Sequence, residues 1–218
     1  TVFTAYDKIN NFFNTNTVFN FGNPIRNLKI KSNKNAHKYF GLDSSKKTIL
    51  VLGGSLGAKN INEGVLNNIS LIRESSYQVI WQTGKFYYKN ILSKNIKDKK
   101  IIIKDFINRM DLAYSVSDII ISRAGAIAIS ELCVISKPLI LVPSPNVVDD
   151  HQTKNAKAIS EKGGCVLIKD SDAINAMLKT AFDLFENKSK MDSMKKSLSK
   201  LSSPNATQKI VNKIYEII

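Results

Sequence analysis

Long apolar runs, thiols and acidic side chains are all scarce in this chain of 218 residues. No apolar stretch approaches the roughly 18 residues that span a bilayer, and no charged-then-apolar leader opens the sequence. Both absences argue against an integral membrane protein or a secreted one. The two cysteines, Cys133 and Cys165, sit in apolar contexts without metal-ligand spacing and read as reduced core residues of a cytosolic protein. Eighteen acidic residues face 32 lysines and arginines, giving a formal net charge of +14. The lysines are scattered rather than striped with aromatics, which argues against a nucleic-acid partner. They fit either a compositional drift toward Lys, Asn and Ile or attraction to an anionic lipid surface.

What is present is a 43% hydrophobic chain, enough for one full core. Strand-like runs fall at 48–52 (TILVL), 77–82, 100–104, 118–122, 138–142 and 165–168. Segments of helical spacing lie between and after them at 60–69, 85–92, 110–116, 127–135, 153–162 and 173–186. Near-continuous Ile, Val and Leu runs imply strands buried on both faces, and short βα alternation implies right-handed crossovers. The expectation is an α/β domain built on a Rossmann-like, doubly wound parallel sheet.

Three loops carry chemistry. Thr48 to Val65 (TILVLGGSLGAKNINEGV) ends a strand in Gly53, Gly54, Ser55, Leu56 and Gly57 before a helix begins. Such a turn brings backbone N–H groups and a helix N-terminus toward a phosphate, or is simply a tight βα connection. It is neither a P-loop, since Ala58-Lys59-Asn60 replaces the Gly-Lys-Ser/Thr ending, nor a G-x-G-x-x-G fingerprint. The second loop, ISRAGAIAISE, leads into a helix bearing Glu131, which reads either as an acceptor for ribose hydroxyls or as a solvated helix residue. Arg123 in the same loop either pairs with phosphate or braces the loop by donating to carbonyls. In the third, VPSPNVVDDHQTKNA, His151, Gln152 and Asn155 surround a helix start. Amides that donate and accept suit a hydroxyl-rich ligand such as a sugar, and His151 reads as a hydrogen-bonding residue rather than a base or metal ligand.

The ends fit the repeat less well. Residues 1–25 contain a strand-like TVFNF and the turn GNP, and look like the tail of something upstream. Pro204 is placed to start a helix in which Ile210, Ile214 and Ile217 share one face.

Together GNPIR, GGSLGA, FINRMDLAYSVSDIIISRAGAIAISEL and KPLILVPSPNVVDDHQTKNA resemble the C-terminal half of the MurG family, in the order and spacing of that family. Its members are N-acetylglucosaminyltransferases that convert lipid I to lipid II in bacterial peptidoglycan synthesis, and so serve cell wall biogenesis, cell shape and division. The resemblance runs from about Val18 onward. It implies the GT-B architecture of two Rossmann-like domains around a cleft, with this chain as the half that binds UDP-N-acetylglucosamine. On that basis residues 1–25 are the tail of an acceptor domain and its linker, 26–203 the donor domain, and 204–218 a helix that packs back on the N-terminal domain.

The resemblance also implies site residues. Arg26, Gly54 and Ser55, with the helix start at Gly125, Ala126 and Ile127, fall at the donor diphosphate. Phe106, Ile107 and Met110 match the loop whose backbone recognises uracil, Glu131 the ribose ligand, and His151, Gln152 and Asn155 the sugar cluster. Ala128 stands where a hydroxyl residue is common, and His151 where some members carry Gln. No segment resembles the family's N-terminal domain, with its Gly-rich loop, acceptor site and candidate base, so this chain is expected to bind donor without turning over alone. The implied reaction is an inverting transfer at the cytoplasmic face of the inner (plasma) membrane, by a peripheral protein whose partners are UDP-N-acetylglucosamine, lipid I and an anionic membrane surface. No cofactor is expected, nor a metal, on the reading that no D-x-D motif is present. A different GT-B acceptor, or a UDP-sugar-binding module without turnover, are the alternatives.

Overall fold

The computed structural model describes residues 1–5, 13, 17–26 and 35–218. Its centre is a parallel sheet of β3 (Thr48–Leu52), β4 (Gln78–Gln82), β5 (Ile101–Lys104), β6 (Ile119–Ser122), β7 (Leu139–Leu141) and β8 (Val166–Leu167). The strands lie in the order β5-β4-β3-β6-β7-β8, every neighbouring pair parallel. The chain starts in the middle, winds outward to β5, returns to pair β6 with β3, and winds outward again. The α/β doubly wound reading therefore holds, and the point where winding reverses, between β3 and β6, is where such sheets bind ligands.

Each run is buried on two faces because successive side chains alternate between them. Leu50 and Leu52 of β3, with Ile80 and Ile120, enter one core, covered by α5 (Met110–Val116), α6 (Ala126–Ile135), α7 (His151–Ser160) and Leu198. Ile49 and Val51, with Val79, Trp81 and Ile121, enter the other, covered by α2 (Lys59–Leu66), α4 (Lys85–Ser93) and α8 (Ala173–Phe185).

Trp81 brings a polar atom into the second core. Its Nε1–H donates to Asn62 Oδ1 at 2.8 Å, and Asn62 Nδ2 donates to the Thr83 carbonyl at 2.9 Å. Asn62→Ala strands the indole N–H and that carbonyl, so urea unfolding is expected to show a loss of about 2–4 kcal/mol. A loss under about 1 kcal/mol would mean that water replaces the amide.

Several elements differ from the periodicity reading. The helix expected at 60–69 breaks at Asn67, and α3 (Ile69–Glu74) follows, because Asn68 Nδ2 donates to the carbonyls of Gly64 and Ile174 and pins the junction. Helix α7 begins at His151 rather than 153, so His151 and Gln152 lie in its first turn. Two further helices, α1 (Ala36–Phe40) and α9 (Lys188–Leu201), were not expected. Asn187 caps α9 by accepting from the Lys190 N–H at 2.9 Å, and Met194 and Leu198 are buried beneath it.

At the N-terminal end β1 (Val2–Thr4) pairs in parallel with β2 (Val18–Asn20), and the rings of Phe3, Phe19 and Phe21 stack over it. Helix α10 (Ala206–Tyr215) starts two residues after Pro204 and packs on the segment that follows β2. Lys213 Nζ lies 4.7 Å over the Phe19 ring, and Thr207 Oγ1 donates to the Ile25 carbonyl. Ile214 and Ile217 remain 41% and 52% exposed, so most of the predicted apolar face is open. No helix among the described residues is long and apolar enough to cross a membrane.

Candidate functional site

A crevice of about 660 Å³ opens at the carboxyl ends of β3 and β6. Its floor is the turn after β3, where Gly54 and Gly57 take φ of +85° and +94°, values that glycine adopts at little cost. The neighbouring turn after β4 approaches backbone to backbone. Gly84 has φ +79°, and a Cβ added there would lie 2.1 Å from the Gly57 nitrogen. Lys85 N–H donates to the Ser55 carbonyl, tying the two turns together.

Gln82, the last residue of β4, joins this turn to the one beyond β5. Its Nε2 donates to the Gly54 carbonyl at 3.1 Å, and its Oε1 accepts from the Ile107 N–H at 3.0 Å. One buried amide therefore sets the spacing between the glycine turn and the Phe106–Met110 loop. Met110 lines the crevice, whereas the Ile107 side chain is in the core and its N–H is already committed. Phe106 is 41% exposed and does not line the crevice.

The opposite wall is the start of α6. Gly125 is its N-cap, with Ala126 and Ile127 in the first turn, and a Cβ on Gly125 would meet nothing within 4 Å. Gly125 and Ala128 face the crevice; Ala126 and Ile127 are absent from its walls. Glu131, one turn on, is only 9% exposed, which excludes the solvated-helix reading. Arg26 Nη2 donates to its Oε2 at 2.8 Å, and Tyr114 OH approaches the same oxygen at 3.4 Å. The bond to Glu131 raises the Arg26 guanidinium above its ordinary value, while burial pushes the Tyr114 phenol up first and the Glu131 charge adds to it. Beside this pair Asn23 Nδ2 donates to Ser130 Oγ at 2.9 Å, so the segment after β2 is fixed to α6 at two points.

Arg123 braces. Its Nη1 donates to the carbonyls of Val142 and Pro143 and to Asp170 Oδ1 at 2.5 Å, with side chains 16% and 14% exposed. Asn60 Nδ2 donates to Asp170 Oδ2 at 2.7 Å, closing a bridge between α2, β6 and the segment after β8. The sequence carries one D-x-D string, Asp170-Ser171-Asp172, which corrects the reading that found none. The Asp170 carboxylate is occupied by Arg123 and Asn60, and Asp172 Oδ1 accepts from Ser171 Oγ. Among the described residues no group of three or more His, Cys, Asp or Glu side chains is placed to hold a metal.

The amide cluster is split. Gln152 lines the crevice, its Oε1 accepting from the N–H groups of Ala124 and Ser144, so it joins the β6 and β7 turns and leaves its NH₂ without a partner among the described residues. Asn155 Nδ2 donates to the Ala124 carbonyl at 3.3 Å and does not line the crevice. His151 is exposed outside it, with Nδ1 2.8 Å from the Val148 carbonyl. The helix start there is unusual: Asp149 and Asp150 both take left-handed backbone, φ 54° and 50°. Of the expected residues, Arg26, Gly54, Ser55, Met110, Gly125, Glu131 and Gln152 meet in one crevice. Sequence reasoning missed Gln82, Tyr114 and Asp170; only Gln82, a polar end on an apolar strand, left a readable signal.

Three comparisons bear on this site. A profile of the glycosyltransferase family 28 C-terminal domain matches residues 48–210. The protein of Cytophaga hutchinsonii named UDP-N-acetylglucosamine--N-acetylmuramyl-(pentapeptide) pyrophosphoryl-undecaprenol N-acetylglucosamine transferase is 42% identical over 217 residues, covering 98% of this chain and 58% of that protein. The Flavobacterium psychrophilum protein of the same name is 42% identical over 218 residues, covering 98% and 59%. Among solved structures, Acinetobacter baumannii MurG superposes with a TM-score of 0.69 at 29% identity, covering 87% of this chain and 54% of that one. The chain thus spans under two thirds of the length of the curated relatives it matches.

Proposed function

Because the chain belongs to glycosyltransferase family 28 through its C-terminal domain, we propose that it supplies the donor half of an enzyme transferring N-acetylglucosamine from UDP-N-acetylglucosamine to lipid I. The observation that carries this reading is one crevice at the winding reversal of the sheet, with an open glycine turn on one side and the buried carboxylate of Glu131 on the other. Ser55, Gly54 and the start of α6 at Gly125, Ala126 and Ile127 offer N–H groups and a partial positive charge to the diphosphate. Arg26, at the rim, adds the cation. The Phe106–Met110 loop, set by Gln82, takes the uracil, with Ile107 contributing backbone alone. Glu131 accepts from the ribose hydroxyls, and Gln152, with Asn155 and His151 behind it, faces the sugar.

In the transfer, the C4 hydroxyl of the muramyl sugar forms a bond to the anomeric carbon of N-acetylglucosamine as the bond to UDP breaks, with inversion. The hydroxyl proton passes to a base that this reading assigns, with lipid I binding, to the portion of the relatives that the chain does not span. The chain's own groups act on the leaving side, where preorganised N–H groups and Arg26 stabilise charge growing on the diphosphate. Residues 1–25, of which 6–12 and 14–16 lie outside the described residues, and the open face of α10 are assigned to contacts with that other portion. The lysine-rich surface, at +14 overall, is assigned to peripheral attraction toward an anionic leaflet at the cytoplasmic membrane face.

Calorimetric titration of this chain with UDP-N-acetylglucosamine, UDP-glucose and ADP-ribose tests the reading. Binding is expected for the first and not the last, with Asn155→Ala, which releases the Ala124 carbonyl behind Gln152, weakening UDP-N-acetylglucosamine about three-fold and UDP little. Equal binding of ADP-ribose would sink the uracil assignment, and equal loss of UDP in the variant the sugar assignment.

A further inference from the structure

Among the described residues two side-chain donors reach Glu131, and both reach the same oxygen. Arg26 Nη2 lies 2.8 Å and Tyr114 OH 3.4 Å from Oε2. Oε1 accepts no hydrogen bond among the described residues, yet it is not a sealed, unsatisfied atom, and Glu131 lines the crevice. The carboxylate is therefore held from behind by one oxygen and offers the other to whatever enters. The three residues come from separate parts of the fold: Arg26 from the segment after β2, Tyr114 from α5, Glu131 from α6. Tyr114 is only 3% exposed, and what it shows lies in the wall of the crevice beside Glu131. Burial and the Glu131 charge hold that phenol protonated, hence a donor, through the neutral range.

We propose that Tyr114 is a positioning residue which, with Arg26, fixes Glu131 through Oε2 so that Oε1 is presented to the ribose hydroxyls, making this arrangement the determinant of ribose over deoxyribose. The inference rests on the reading of Glu131 as the ribose ligand. A free glutamate side chain would have to be ordered by the ligand, whereas one pinned at a single oxygen gives up less conformational freedom on binding. The unused oxygen is also desolvated in part already, so leaving it unpaired, as a deoxy ligand does, is costly.

Calorimetry on the full chain with UDP and 2′,3′-dideoxy-UDP, for the wild type and Tyr114→Phe, tests this. The wild type should prefer UDP by about ten-fold or more, the loss expected for hydroxyls paired with a carboxylate. Tyr114→Phe should weaken UDP about three- to five-fold, as the long 3.4 Å bond warrants, and leave dideoxy-UDP unchanged. Tyr114→Met serves as a second variant if the phenylalanine form does not fold, with the same expectation. Absence of preference in the wild type would overturn the ribose reading itself. A wild-type preference that survives intact in the variants would overturn the positioning role alone. Equal weakening of both ligands would also overturn it, showing that Tyr114 supports the crevice only as packing.

Discussion

Gly84→Ala is expected to lower the stability of this chain by about 3 kcal/mol and to abolish binding of UDP. Two costs combine. Gly84 sits at φ +79°, where an L side chain pays about 1–2 kcal/mol. The added Cβ also falls 2.1 Å from the Gly57 nitrogen, 2.3 Å from its Cα and 2.4 Å from the Leu56 carbonyl carbon. All three are backbone atoms of the turn that forms the crevice floor, so relief comes only from moving that turn. The crowding is mutual, since a Cβ added at Gly57 would lie 2.3 Å from the Thr83 carbonyl oxygen, so the two turns meet backbone to backbone. Gly125→Ala is the contrast, since its backbone is ordinary and its Cβ meets nothing. It should unfold like the wild type yet weaken UDP if a phosphate lies against that helix start. Urea unfolding and UDP titration of both variants decide. A Gly84→Ala protein within about 1 kcal/mol of wild type would show that the two turns separate more easily than their contact implies.

The sheet was legible because it is buried on both faces. Strands β3, β4, β6 and β7 are near-unbroken apolar runs, and a run that must fill two cores leaves little choice of element. Helix α9 was not legible, although Met191, Met194, Leu198 and Leu201 mark one face, because the six lysines and serines between them read as a solvated segment. The break between α2 and α3 depends on Asn68 reaching Ile174, a partner 106 residues away that no local pattern reveals. The site divides in the same manner. Glycine turns announce themselves locally, through the residue type that positive φ requires. Arg26, Tyr114 and Glu131 meet from three elements, and the resemblance that placed Arg26 at the diphosphate gave no hint that Glu131 holds it here. Gln152 and Asn155, selected as amides suited to a sugar, turn out to brace Ala124 and Ser144 as well. An amide has enough donors and acceptors for both tasks, and sequence cannot apportion them.

Asp170→Ala is expected to cost about 2–3 kcal/mol, and the loss should be strongly coupled to Arg123. Breaking a fully buried ion pair typically costs about 3–5 kcal/mol because the survivor is left charged and unpaired. Here some 16% and 14% of the two side chains reach solvent, which places the expectation below that range. Arg123 keeps its bonds to the Val142 and Pro143 carbonyls in the variant, and Asn60 keeps its bond to the Asp170 main chain, so the fold should survive. Arg123→Met removes the charge that Asp170 neutralises, and the double variant should be more stable than the two single losses predict, by about 1–3 kcal/mol. The functional consequence runs through the loop after β7. Arg123 holds the start of the segment that carries Ser144 and leads to Gln152, so loosening it should weaken UDP-N-acetylglucosamine several-fold more than UDP, whose proposed contacts are the β3 turn, the loop after β5 and the start of α6. A thermodynamic cycle in urea, followed by titration of the single variants with both ligands, measures each effect separately. Strict additivity, within about 0.5 kcal/mol, would mean that the 2.5 Å contact contributes nothing beyond its separate groups. Parallel loss of both ligands would mean that the loop serves the whole crevice and not the sugar end.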